Sequence, residues 1–273
     1  TGCLADIRPA PFAARTSPAD AEQARALLQT AADAMGTSPR NTSARWLAQK
    51  GVCVTMEDEW FGLADLVVRS WPENPQSMEF CFVPRKDNSV VRFLSASGEP
   101  TEERWGIHEW NTWKAQSGSS PIDYSEDGSI KFTLPTAQYF VEMAHRLPDG
   151  DILDYGGTAE YRGKTYDVIY ITWGSYEANE TVDQYLAWIS KDSGLVERVD
   201  FTVRENGASI TAAAFYTYME AGGYQVPKEI IIGDIGDPDT VYHIYRFKEY
   251  KLNQDLKREE YAPEGDRPPA QKF

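Results

Sequence analysis

The sequence has no apolar run that approaches the ~20 residues of a transmembrane helix, so no part of it is expected to span a membrane. Basic residues are also few, because 27 Lys and Arg stand against 42 Asp and Glu, which gives a net charge of −15. This charge argues against nucleic-acid binding, whose affinity comes largely from phosphates neutralised by basic side chains. It argues equally against docking on anionic lipid headgroups through a basic patch.

Catalytic and metal-binding signatures are missing as well. The sequence contains neither a Gly-x-Ser-x-Gly nucleophile elbow nor a phosphate-binding loop. Its histidines lack the i, i+4 spacing of a helical zinc pair, and its Asp-rich turns lack the periodicity of a calcium loop. We therefore expect a non-catalytic protein with no metal or other cofactor, while the 42 carboxylates leave an acid pair in an enzyme as an open alternative. The histidines are His108, His145 and His243.

Aromatic and β-branched residues, which favour strands, are abundant: the chain has eight Trp and fifteen Tyr. Between Gly157 and Met219, runs of such residues are separated by turn signals such as Arg162-Gly163-Lys164 and Asn206-Gly207. Strands so close in sequence can pair only antiparallel. The pattern predicts a β-meander with strands over 166–173, 184–189, 196–203 and 209–219.

Two strands of this meander are apolar on both faces. In 166–173 and 184–189, apolar or aromatic residues occupy odd and even positions alike, whereas 196–203 has one polar face. A strand that is apolar on both faces needs cover on both, from a second sheet, a helix or a bound apolar ligand. Ordinary core packing and an open ligand cavity both fit this pattern.

Two helices are predicted beside the strands. The first has Ser17 as its N-cap and Pro18 as its first helical residue, and the second begins at Pro135. The charged and Pro-rich C-terminal residues cannot bury a core, so they are expected to form a flexible tail. The helices cover 17–36 and 135–147, and further predicted strands include 63–70, 105–114 and 130–132. The expected parts are a tether over 1–16, one β-rich domain over 17–252 and the tail over 253–273.

The first three residues, Thr1, Gly2 and Cys3, resemble the end of a bacterial lipobox, in which small residues precede an acylated cysteine. A Pro- and Ala-rich stretch follows, as expected for a tether. The resemblance implies export with a signal peptide, an anchor of palmitate-type acyl chains on Cys3 and, from Leu4 at the next position, an outer-membrane lipoprotein that faces the periplasm. The alternative is an ordinary cysteine near the start of the segment.

The remaining cysteines, Cys53 and Cys81, both lie on predicted strands. An exported protein permits a disulfide between them, which would add about 3–4 kcal/mol of stability by loop-entropy reasoning. Two buried free thiols are the alternative, because the sequence gives no Cα separation.

The order of elements and the meander motif resemble the lipoprotein carriers of the LolA/LolB type. This resemblance implies an α+β, β-rich fold, in which a curved antiparallel sheet of about 11 strands forms a half-open barrel around two or three helices and holds acyl chains in an apolar cavity. No residue with a known role in these carriers maps onto a position of this chain. The residues that carry the resemblance are Gly163, Lys164, Tyr166–Ile169, Tyr185, Trp188, Ile189, Lys191 and Ser193–Leu195.

The resulting hypothesis is an envelope lipoprotein that binds a lipid or the acyl chains of a lipoprotein. If the strands with two apolar faces border a ligand space, Trp173 and Trp188 should lie on its wall or close behind it, and Phe140 and Met143 should approach from the second helix. An interaction module that docks an envelope protein partner through its acidic surface is the alternative, and it predicts a filled core. An enzyme would instead show convergent polar groups with perturbed pKa values in a cleft.

Overall fold

The computed structural model describes residues 4–8, 17–36, 41–115, 122–205, 210–237 and 239–264. Within these ranges the chain forms thirteen β-strands and five α-helices. The strands pair antiparallel, which confirms the predicted β-rich α+β class. None of the helices in the described ranges is long and apolar enough to cross a membrane.

The contacts divide the chain into two compact units. Unit 1 comprises Thr1–Ser43 and Ala144–Tyr242, and unit 2 comprises Ala44–Met143 and His243–Phe273. The helices are α1 (Pro18–Ala34), α2 (Thr42–Leu47), α3 (Gly62–Val67), α4 (Gly128–Arg146) and α5 (Arg258–Tyr261). The strands are β1 (Val52–Trp60), β2 (Gln76–Phe82), β3 (Ser89–Leu94), β4 (Pro100–His108), β5 (Asn111–Ala115), β6 (Asp123–Ser125), β7 (Ile152–Tyr161), β8 (Lys164–Thr172), β9 (Tyr185–Ser190), β10 (Val196–Val203), β11 (Ile210–Ala221), β12 (Tyr224–Gly233) and β13 (Val241–Lys251).

Unit 1 contains the predicted meander. Its strands follow the order β12, β11, β10, β9, β8 and β7, so that each strand pairs with its neighbour in the sequence. The turn between β7 and β8 has positive φ angles at Arg162 (50°) and Gly163 (76°), as a tight hairpin turn requires. The turn predicted at Asn206-Gly207 lies outside the described residues. The meander strands β8 to β11 are therefore confirmed.

The first helix of unit 1, α1, packs on β7 and β9. Ser17 caps it, and the Asp20 carboxylate accepts a hydrogen bond from the Ser17 backbone N–H at 2.9 Å, which completes a capping box. Ala24, Leu28 and Ala31 on its apolar side are buried. The predicted helix is therefore confirmed. The sequence could predict it because its start signal and its apolar stripe both involve residues that are close in sequence.

The strands of unit 2 follow the order β6, β5, β4, β3, β2, β1 and β13. Cys53 on β1 lies directly opposite Cys81 on β2, and the two form a disulfide. Trp113 belongs to the same buried cluster as this disulfide, and its indole N–H donates to the carbonyl oxygen of Tyr261 at 2.8 Å. Part of the region predicted as a flexible tail thus packs on the sheet, whereas 265–273 lie outside the described residues.

The structure corrects two strands predicted from apolar runs. The first, 63–70, contains the helix α3, whose Leu63, Leu66 and Val67 are exposed rather than buried. The second, 130–132, belongs to the start of α4, because the Asp127 carboxylate accepts hydrogen bonds from the first N–H groups of that helix. Both runs contain β-branched or apolar residues, so the sequence pattern favoured strands there.

The predicted aromatic strand over 105–114 is a hairpin. Glu109 and Trp110 have positive φ angles of 49° and 62°, and they turn the chain between β4 and β5. Two consecutive residues with positive φ form a hairpin turn that usually carries Asn or Gly, so its sequence signal was absent here. This extra turn is one reason why the described strands number thirteen rather than about eleven.

Candidate ligand-binding site

The predicted ligand residues of α4 lie within unit 2. Phe140 and Met143 are buried, with 5% and 2% of their surface exposed. The ring of Phe140 lies 6.0 Å from the ring of Tyr245 on β13. Low exposure of this kind is expected both for a filled core and for the wall of a closed apolar cavity.

A buried carboxylate holds α4 in place beside these two residues. Glu142 is fully buried, and its Oε1 accepts a hydrogen bond from the indole N–H of Trp46 at 3.2 Å. The same carboxylate accepts from the backbone N–H of Arg85 at 3.2 Å and from the side-chain amide of Gln138 at 3.1 Å. These bonds connect α4 to α2 and to the segment after β2. The helix face that carries Phe140 and Met143 is therefore fixed by polar contacts that the sequence did not reveal.

The two predicted tryptophans lie in unit 1, on opposite faces of the β8–β9 pair. Trp188 is opposite Val168 in the strand register and packs on the cluster formed by Val168, Tyr170, Tyr176 and Leu186. Trp173 follows β8, and its ring makes an edge contact at 5.7 Å with Tyr185, whose neighbour in register is Ile171. Because side chains alternate between the faces of a strand, Trp173 and Trp188 do not share one wall.

Trp188 is surrounded by polar and aromatic groups of its own chain. Its indole N–H donates to a carboxylate oxygen of Asp200 at 3.0 Å, and the Arg198 guanidinium lies 4.7 Å from its ring. Burial raises the pKa of Asp200, although the Arg198 charge opposes this effect. The same guanidinium lies 4.6 Å from the ring of Tyr161. This arrangement is a packed cation–aromatic cluster, and ligand contact at Trp188 stays a prediction.

The face of β8 and β9 that carries Val168, Tyr170 and Leu186, here called the strap face, is covered by the chain itself. Ile7 and Tyr176 pack on it. Ile7 belongs to residues 4–8, here called the strap, the first described segment after Cys3. Cys3 itself lies outside the described residues. The strap face thus has the second cover that its apolar residues require, and no ligand is needed to supply it.

A buried acidic centre in unit 2 was not predicted. Asp58 on β1 is fully buried, and the indole N–H groups of Trp60 and Trp71 donate to it at 2.8 and 2.7 Å. His243 lies 3.0 Å from the other carboxylate oxygen, and its ring stacks on Trp60 at 3.9 Å. The sequence could not reveal this centre, because Asp58 and His243 are 185 residues apart. Its polar groups bond to one another, as buried polar groups must.

A pocket of about 280 Å³ lies nearby in unit 2. Phe93 and Leu94 form part of its wall, and Glu73, Glu102 and Glu103 make another part acidic. None of the four predicted ligand residues lines this pocket. Within the described ranges, His, Cys, Asp and Glu side chains form no group of three or more that could hold a metal ion.

Solved structures with the same arrangement identify the fold. A LolA superfamily protein from Nitrosomonas europaea matches with a TM-score of 0.50 and 14% identity, over 88% of this chain and 97% of its own. A DUF1329 family protein from Desulfovibrio piger matches with a TM-score of 0.55 and 10% identity, over 89% and 97%. The chain has a LolA-like fold.

A third match is a domain from Vibrio parahaemolyticus described as an outer membrane lipoprotein-sorting protein. Its TM-score is 0.51 with 10% identity, over 89% of this chain and 97% of its own. No protein-family model and no curated protein sequence matches the chain. At such low identity the likeness establishes the fold and leaves the ligand to experiment.

Proposed function

We propose that this protein is a bacterial envelope lipoprotein that is anchored through acyl chains on Cys3 and binds a lipid or the acyl chains of a lipoprotein in an apolar cavity, without catalysis. The observation that carries the proposal is the LolA-like fold, matched over almost nine tenths of the chain. One of the matching structures is described as a lipoprotein-sorting protein of the outer membrane, which supports the same ligand class and the same location here. The outer membrane and its periplasmic side are part of the proposal.

The apolar side of α4 is where we propose that the ligand binds. Leu134, Phe140 and Met143 are all buried in unit 2, at 0%, 5% and 2% exposure. Carrier cavities are apolar and bury most of their ligand, so an acyl chain would replace side-chain contacts along this helix. Trp173 and Trp188 remain weaker candidates, because they lie on opposite faces of the β8–β9 pair.

Binding of a fluorescent fatty acid tests the ligand proposal. The full chain with Cys3→Ala, which cannot be acylated, is titrated with parinaric acid at micromolar protein. We expect saturable binding with a stoichiometry near one, and native mass spectrometry should show a lipid that copurifies. Absence of both signals would contradict the carrier function. The anchor is tested separately, by labelling cells with a palmitate analogue; incorporation should be lost in Cys3→Ala.

An exposed apolar helix favours the second candidate function, an interaction module that docks an envelope protein. Leu63, Leu66 and Val67 on α3 are 77%, 79% and 75% exposed, and contiguous exposed apolar side chains often mark interaction surfaces. A photo-reactive residue at position 66 should then yield a discrete protein adduct in cells. The same residue at Ile210, which is 44% exposed on β11, serves as the control. Equal labelling at both positions would contradict docking through α3.

A further inference from the structure

The strap makes specific contacts with the strap face, although it precedes every helix and strand. The backbone N–H of Ile7 donates to the side-chain oxygen of Gln184 at 3.1 Å, and the amide of Gln184 donates to Asp6 at 3.1 Å. The Arg204 guanidinium donates to the carbonyl oxygen of Ala5. Backbone and side-chain groups of three consecutive strap residues are thus recognised by two side chains of unit 1.

Gln184 is also held by other groups of unit 1. It is 1% exposed, and its side-chain amide also donates to the hydroxyl of Tyr170 at 3.0 Å. The backbone N–H of Gln184 donates to the hydroxyl oxygen of Thr202 at 2.9 Å, and the backbone carbonyl oxygen of Gln184 accepts from the backbone N–H of Thr202 at 3.0 Å. A buried amide held on both sides presents one donor and one acceptor to the strap at little entropic cost.

The last strap residue, Arg8, is held by charge and by an aromatic ring. Its guanidinium pairs with Asp6 at 2.7 Å and with Glu177, and it lies 5.2 Å from the ring centre of Tyr176. The side chain of Arg8 is only 9% exposed. Hydrogen bonding from Arg8 keeps the pKa of Asp6 below its usual value, which agrees with a formed pair. Together with Ile7 on its apolar cluster, these contacts dock the strap along its length.

Docking of the strap limits how far an anchor at Cys3 can be from unit 1. Two residues separate the Cα atoms of Cys3 and Ala5 by at most about 7 Å. A free chain from Cys3 to Ser17 could instead extend over about 45–50 Å. The contacts of Ala5 to Arg8 therefore remove most of the reach that a tether over 1–16 would have.

We propose that the strap holds the strap face of unit 1 against the surface of the lipid bilayer, because it docks Ala5 to Arg8 immediately after the anchor residue. This inference rests on the proposed acylation of Cys3. It assigns a membrane-facing side to unit 1, around Gln184, Arg204 and the loop that contains Glu177. Release of the strap would lengthen the tether and free this face from the bilayer.

Docking itself is tested without a membrane. In the unacylated Cys3→Ala chain, NMR hydrogen exchange should show the amide of residue 7 protected at least tenfold relative to an unstructured peptide, because it is bonded to Gln184. Ile7→Ser, which removes the apolar contact, should lose this protection. Ile210→Ser changes an exposed isoleucine in the same way and should leave the protection intact. An unprotected amide at residue 7 in the parent chain would overturn the inference.

The membrane-facing side is tested with the acylated full chain in phosphatidylcholine vesicles that carry a spin label on the lipid headgroup. A fluorophore is attached at Glu180→Cys, in the loop beside the strap, or at Lys228→Cys on β12; both positions are exposed. β12 lies three strands from β9, or about 14 Å along the sheet. We expect quenching at position 180 to be at least twofold stronger than at 228. Ile7→Ser should make quenching at positions 180 and 228 equal, and Ile210→Ser should preserve the difference in quenching.

The outcomes separate this inference from the proposed function. Equal quenching at the two positions in acylated, vesicle-bound protein would overturn the membrane-facing side and leave the anchor intact. A wild type that incorporates no palmitate analogue would refute the anchor and with it the membrane-facing side. Acyl binding in the cavity is measured in the Cys3→Ala chain, which has no anchor, so its result does not depend on either of these outcomes.

Discussion

The buried histidine of unit 1 is a residue whose ionisation should affect stability. His145 is 4% exposed, its Nδ1 lies 3.0 Å from the hydroxyl oxygen of Ser43, and burial lowers its pKa from 6.5 to about 4. In the unfolded chain this imidazole takes up a proton below pH 6.5, whereas in the folded chain it stays neutral down to pH 4. The contribution of His145 to stability should therefore fall as the pH drops through 6.5 and level off near 4, by about 3 kcal/mol in total.

Two measurements check this expectation for His145. Urea unfolding at a series of pH values should show a smaller loss of stability between pH 6.5 and 4 in His145→Gln than in the wild type. NMR titration of the His145 ring protons in the folded protein should give a pKa near 4. A ring that titrates near 6.5 would contradict the effect of burial.

At the scale of single elements, the disulfide between β1 and β2 gives the clearest prediction. It closes a loop between residues 28 apart in sequence. The chain-entropy relation gives about 3–4 kcal/mol for a loop of this length, so the double variant Cys53→Ala, Cys81→Ala should lose about that much free energy of unfolding. Urea unfolding with and without a reductant checks it. The reductant should lower the urea concentration at the unfolding midpoint of the wild type and leave the midpoint of the double variant unchanged. A double variant as stable as the oxidised wild type would show that the disulfide does not stabilise the fold.

Local signals predicted the elements that depend on local contacts. The capping box of Ser17 and Asp20 predicts where α1 begins, and Gly163 predicts the turn before β8, because each signal involves neighbours in sequence. The helix α3 could not be predicted in this way. Its Leu63 and Leu66 are exposed, whereas the prediction of a strand over 63–70 assumed that apolar residues are buried.

The candidate site was harder to predict than the fold, since its contacts join distant parts of the chain. The sequence placed Phe140 and Met143 on an apolar helix side, and they are buried there. It gave no sign that Glu142 fixes this helix through Trp46, or that the strap reaches Gln184, 177 residues from Ile7. Pairings over such separations depend on strand register and packing, which composition and periodicity do not encode.

At the scale of the whole molecule, the proposed function requires a place where the LolA-like fold can hold an acyl chain. In unit 1 the strap face is closed by Ile7 and Tyr176, so the two apolar faces of β8 and β9 no longer require a ligand. In unit 2 the apolar side of α4 is buried, and the Phe140 ring lies 6.0 Å from the ring of Tyr245 on β13. A substitution on α4 therefore tests the cavity most directly.

Phe140→Ala should separate a filled core from a ligand wall. In a filled core the change costs about 3–5 kcal/mol, because it leaves a cavity, whereas beside an existing acyl-binding space the loss should be clearly smaller. Trp113→Ala is the matched control, since Trp113 is 1% exposed and belongs to the buried cluster of the disulfide on a different face of unit 2, where the full cost is expected. Urea unfolding measures the loss of stability in both variants. At a temperature where both variants are folded, the affinity for parinaric acid should change in Phe140→Ala and stay the same in Trp113→Ala. A loss at Phe140 as large as that at Trp113, with unchanged acyl affinity, would place the ligand elsewhere; no acyl binding in the Cys3→Ala parent chain would favour the interaction module.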